Sequence, residues 1–207
     1  NKDLVDIDYN LLAKQNFLSN YWNDKKSAVI FFLETTLEAI KSDRSDIIYK
    51  PVFKNIGDAR SLCSKYSLVR IKKNIVKYVK NNSDDDMQFY KNNSELYEFI
   101  VFSLYASPIS FNRVSLIKVR LPYSDKDFKD IGQEVFQFKV EHLPEKEEQF
   151  AERKKSNGSC FLYHGSKIEN WYSILKNGVK NCSNNTDLQI NGAAFGEGVY
   201  LSDNMVT

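Results

Sequence analysis

Glycine placement constrains this chain more than any other feature. Six of its eight glycines lie between Gly158 and Gly198, so the sharpest turns and barest backbone fall in one C-terminal stretch. Within it, Cys160-Phe161-Leu162-Tyr163 is a short apolar and aromatic run stopped by His164-Gly165, which predicts a buried strand. Ser166 and Glu169 have capping-box spacing, so a helix is expected to begin directly afterwards. Ile168, Trp171 and Leu175 share one face of that helix, and Gly178 stands where a left-handed C-terminal cap belongs. A polar loop follows, and Gly196-Glu197-Gly198 leads into a second strand through Val199, Tyr200, Leu201 and Ser202.

Two residues of this unit bring chemistry. His164, one of two histidines in the chain, sits at a strand end beside a glycine that leaves main-chain N–H and C=O open. Tyr200 is delivered onto the next strand by a glycine-flanked loop. Taken singly, they read as a hydrogen-bonded turn histidine and a core aromatic. Taken as an ordered series, His164-Gly165-Ser166, Asn170-Trp171, Ile174-Leu175, Gly178 and Gly196-x-Gly198-x-Tyr200-Leu201-Ser202 resembles the catalytic domain of the PARP-type ADP-ribosyltransferases. These form the diphtheria-toxin-like branch that uses NAD. Glu169-Asn170-Trp171 through Gly178, with Asn191-Gly192-Ala193-Ala194, is most similar to the mono-ADP-ribosyltransferase subgroup.

The resemblance implies transfer of ADP-ribose from NAD to protein side chains with release of nicotinamide, with NAD as substrate and no metal. It implies that His164 and Tyr200 are the first two members of a His-Tyr-Glu type triad, the histidine bonding a ribose hydroxyl and the tyrosine stacking on nicotinamide. Gly165 would read the carboxamide with its backbone, and Ser166 and Asn170 match positions lining the same pocket. Lys180 falls where some members carry an arginine near the adenosine end. The third triad position lies past Thr207 in the family pattern, so this stretch is expected to be an incomplete catalytic domain and inert alone. Expected partners are NAD and a protein acceptor, the protein itself included, with no nucleic acid. The expected location is cytoplasmic, with membrane association, at the cytosolic face of the endoplasmic reticulum, only through a segment after Thr207. Two other readings compete. An RNA 2′-phosphotransferase shares similar elements but wants basic density and a second histidine near the later strand. A catalytically inactive PARP-like module would bind only NAD or a protein partner.

Composition limits the alternatives. Twenty-nine basic residues against twenty-seven acidic ones leave +2, too even a balance to build a nucleic-acid groove. Cys63, Cys160 and Cys182 are odd in number and widely spaced, which argues against a disulfide framework or a zinc site. The longest apolar run, Ala28 to Leu33, is far short of a membrane span. Asn1-Lys2-Asp3 has the look of an internal cut, without a signal peptide.

Before the glycine-rich unit the pattern is helical. Helices are expected from Leu4 to Trp22, from Ala28 to Ile40, from Asp58 to about Val79, and from Asn93 or Ser94 to near Pro108, with a break at Tyr49-Lys50-Pro51. Asn81 to Asp86 reads as a solvated linker, and Arg70, Lys72, Lys73 and Lys77 as a solvated helix flank. Ser115 to Leu121 and Val135 to Glu141 have strand character, His142 reads as surface loop, and Glu145 to Lys155 as a charged helix anchored by Phe150. The fold expected is α+β. An N-terminal α-helical domain (1–122) is followed by the N-terminal half of a mixed, mostly antiparallel β-sheet ADP-ribosyltransferase domain (133–207).

Overall fold

A computed structural model of the protein describes residues 6–42, 53–79, 86–105, 114–116, 138–140, 142–181 and 198–203. In chain order they form α1 (Tyr9–Lys14), α2 (Phe17–Lys41), α3 (Ile56–Lys65), α4 (Leu68–Val79), α5 (Asp86–Asn92), α6 (Ser94–Tyr105), β1 (Val114–Leu116), β2 (Phe138–Val140), α7 (Pro144–Asn157) and α8 (Ile168–Asn177). No helix among the described residues is long and apolar enough to cross a membrane.

The long α2 is the axis of the molecule. Leu18, Trp22, Val29, Phe32, Leu33, Leu37 and Ile40 recur on its buried side, and α1, α3, α4, α5, α6 and α8 all pack against it. The two helices expected between Leu4 and Ile40 divide elsewhere. Asn16 takes a left-handed conformation (φ 51°) and separates α1 from α2, while the chain passes through Lys25 with only a bend (φ −135°, ψ 38°). The expected helix over Asp58 to Val79 is likewise broken at Tyr66-Ser67. Against α2 lies α6, whose Leu96, Tyr97, Phe99, Ile100, Val101, Phe102 and Leu104 are all buried. A helix apolar around its whole circumference is stable only with neighbours on every side, which places α6 in the middle of the core.

Asp86 corrects the reading of its acidic run as solvated linker. It is 1% exposed and caps α2 from a distance. Its carboxylate accepts from Leu18 N (2.6 Å), Ser19 N (3.1 Å), Ser19 Oγ (2.6 Å) and Tyr97 Oη (3.0 Å). In return Asn16 Oδ1 accepts from Asp86 N at 3.3 Å. The first N–H groups of α2 have no side-chain cap from Asn16 itself, so the distant carboxylate satisfies them and meets the positive end of the helix dipole.

The mixed β-sheet expected for the C-terminal part is not found, and the α+β assignment is corrected to a helical fold among the described residues. What strand pairing they hold is one antiparallel pair, three residues on each side, with Val114 opposite Val140, Ser115 opposite Lys139 and Leu116 opposite Phe138. To this is added a single bridge between Tyr163 and Ser202. A strand exists only where a neighbour takes its main-chain N–H and C=O groups. Of Cys160 to Tyr163, read as buried strand, Cys160 to Leu162 are exposed, and among the described residues Tyr163 alone is bridged, to Ser202. The expected break at Tyr49 to Pro51, the Asn81 to Asp85 linker, the boundary between Pro122 and Gln133 and the loop through Asn191 to Glu197 lie outside the described residues.

Two further readings change. Phe150 is 57% exposed and anchors nothing; α7 has no buried residue, and its start is set by Pro144 and by Glu147 accepting from His142 N at 2.7 Å. His142 is partly buried and not a free surface loop; burial, helped by Lys146, pulls its pKa down.

Candidate functional site

The site begins with α8, because α8 is what fixes the His-Gly-Ser turn to the helical core. Tyr172, Leu175 and Lys176 are its buried residues. Tyr172 packs on Ala39 of α2 and lies 6.4 Å from the Phe32 ring, and Leu175 joins the main core. The sequence placed Ile168, Trp171 and Leu175 on the inner face; the buried face is turned toward Tyr172 and Lys176, with Trp171 at its margin. A lysine carries no apolar signal, so periodicity could not have found it. Lys176 Nζ donates to Tyr172 Oη at 2.9 Å and sits 4.4 Å over the same ring. Burial brings the Lys176 ammonium down to about 8 and pushes the Tyr172 phenol up to about 12. The Lys146 ammonium donates to Lys176 O at 2.8 Å and ties α7 to the end of α8.

At its start α8 departs from the expected capping box. The N-cap is Lys167 and not Ser166, and no side chain caps it. The Ser166 hydroxyl accepts from Asn170 Nδ2 at 3.0 Å, and the Ser166 carbonyl accepts from Trp171 Nε1 at 3.3 Å. At the other end Gly178 has φ +79° and ψ 174°. This is the extended region at positive φ, almost closed to other residues, and not the left-handed cap expected.

Upstream of the turn, Tyr163 N donates to Ser202 O (2.7 Å) and Ser202 N donates to Tyr163 O (3.0 Å). This antiparallel bridge sets His164 beside Tyr200, and His164 Nδ1 lies 3.0 Å from Tyr200 O. A carbonyl oxygen only accepts, so Nδ1 carries the proton and a neutral ring offers Nε2 as an acceptor. The Trp171 ring stands edge-on to His164, 6.5 Å between centroids at 64°. His164 is half-buried, and Tyr200 is 37% exposed, so it is no core aromatic. Among the described residues nothing lies within 4 Å of the place a Cβ would take on Gly165. No hydrogen bond engages the Gly165 N–H or C=O among the described residues.

Of the residues singled out in the sequence, then, His164, Gly165, Ser166, Asn170 and Tyr200 come together at one corner. Lys180 is exposed beyond Gly178 and takes no part in the contacts that join them. Trp171, in the sequence a helix-face and motif residue with no assigned site role, reaches both the turn and the histidine with its indole.

Residues 125–207 match the family model described as "Poly(ADP-ribose) polymerase catalytic domain". The protein mono-ADP-ribosyltransferase PARP8 of Homo sapiens is 56% identical over 59 residues, which are 28% of this chain and 7% of that protein. The protein mono-ADP-ribosyltransferase PARP16 of Homo sapiens is 34% identical over 70 residues, 34% of this chain and 20% of that protein. The chain therefore spans a small part of the length of the relatives it matches. No solved structure matches it.

Proposed function

From a chain whose residues 125–207 carry the PARP-type catalytic-domain match, we propose that the protein transfers single ADP-ribose units from NAD to protein side chains and releases nicotinamide. The names of its relatives, both mono-ADP-ribosyltransferases, support single transfer over polymer formation. The observation that carries the reading is the backbone at Gly165, open and without a hydrogen bond among the described residues, next to the His164 ring that meets Tyr200 O.

A carboxamide is planar and presents one donor and one acceptor, which an unpaired N–H and C=O on a residue without a side chain can both engage. In this reading Gly165 holds the nicotinamide amide, and the exposed Tyr200 ring packs on its face. His164 Nε2, left as an acceptor by the Nδ1 contact, takes a hydrogen bond from a ribose hydroxyl. As the ribose–nicotinamide bond lengthens, its electron pair leaves with nicotinamide and positive charge grows on the sugar. The acceptor side chain then supplies the pair for the new bond and loses its proton. Ser166 and Asn170, already bonded to each other, border the same pocket.

Auto-modification of the full-length protein with labelled NAD tests this. His164→Ala and Tyr200→Ala are each expected to lower incorporation by about a hundredfold, the size of a lost transition-state contact. If both variants label as fast as the parent, the site is wrongly assigned. NAD binding with no nicotinamide release would favour a catalytically inactive module.

A further inference from the structure

We infer that Trp171 is a positioning residue that clamps the His164-Gly165-Ser166 turn to the helical core. The inference rests on the function proposed above, with Trp171 acting through His164 and not on substrate. Its indole N–H holds the Ser166 carbonyl at 3.3 Å, one residue past the open glycine, and its ring edge lies against His164. The neighbouring Asn170 side chain holds the Ser166 hydroxyl at 3.0 Å, so two consecutive residues of α8 grip one residue of the turn by its main chain and its side chain.

The clamp has a firm base. Trp171 is partly buried against the main core, and the next residue, Tyr172, is seated on Ala39 and near Phe32 of α2. On the far side of the turn, His164 is tied by the Nδ1 contact to Tyr200 O. Besides that bond, the Trp171 ring, 6.5 Å away at 64°, gives the imidazole a second neighbour that limits its rotation. Small misplacements of a catalytic group lower turnover steeply, so the clamp should show in kcat more than in KM.

The test labels the full chain with 15N-histidine. Only His142 and His164 contribute signals, so assignment needs one variant. The parent is expected to show His164 as the Nδ1-protonated tautomer, and Trp171→Phe, which keeps an aromatic ring but loses the N–H, should bring its two nitrogen shifts together. A merely structural tryptophan would lower the melting temperature and leave the tautomer unchanged. That result would overturn the inference. Should Trp171→Phe not fold, exchange of the Trp171 indole N–H in the parent decides: protection supports the clamp, and exchange at the rate of a free indole refutes it. In the full-length enzyme, Trp171→Phe is expected to lower kcat about tenfold with KM within about twofold. If the tautomer shifts but no NAD turnover is seen in the parent, the clamp stands and the enzymatic reading fails.

Discussion

Asp86 shows how much one side chain can do in this molecule. Four donors converge on its carboxylate, two from the main chain of α2, one from Ser19 and one from Tyr97. Burial raises its pKa while the four hydrogen bonds pull the other way, and burial prevails. Asp86→Ala would leave these donors buried and unsatisfied, and is expected to destabilise the fold by about 3 to 5 kcal/mol in urea titrations. Asp86→Asn keeps one acceptor oxygen and should lose less. A loss under 1 kcal/mol for the alanine variant would mean that the network does not hold α2. The residue was illegible in the sequence for a plain reason. Three consecutive aspartates read as solvent, and Asp86's donors on α2 lie 67 and 68 positions away. His164 and Tyr200 could be singled out as candidates because their glycine setting is local.

At the scale of the element, α8 carries two testable features. Lys176, at about 8 in the folded protein, binds fewer protons there than in the unfolded chain, where a lysine titrates at 10.5. Stability therefore rises with pH from 8 toward 10.5, by about 2 kcal/mol between pH 8 and 10. Tyr172, raised to about 12, works in the opposite sense only above pH 10. Comparing melting curves of the parent and Lys176→Met isolates the lysine, and the variant's curve should be flatter by that amount. A parent that gains nothing over the variant would show that Lys176 is solvated. The glycine ending α8 gives the second prediction: Gly178→Ala should destabilise by about 1 to 3 kcal/mol, since φ +79° with ψ 174° strains any side chain. Helices such as α4, which buries Ile71, Ile75, Tyr78 and Val79, were readable because one-sided burial writes a 3.6-residue period into the chain. The breaks at Asn16 and at Tyr66-Ser67 were not, because neither carries proline or glycine. The sheet was misread for a related reason: strand character in Cys160 to Tyr163 is local, but pairing is supplied by distant residues.

Across the whole molecule, the helical core acts as the bed on which the candidate site is laid. α2 bears α8, α8 holds the His-Gly-Ser turn through Asn170 and Trp171, and the Tyr163–Ser202 bridge brings Tyr200 to the histidine. The central claim is that the open peptide at Gly165 receives the nicotinamide amide. It is tested most directly by calorimetric titration of the full-length protein and its Gly165→Val variant with NAD. A Cβ at Gly165 would meet no described atom within 4 Å, so the variant should melt close to the parent. Its NAD dissociation constant should nonetheless rise at least about tenfold, the equivalent of one to two lost hydrogen bonds. A folded variant that binds NAD as tightly as the parent would contradict the account.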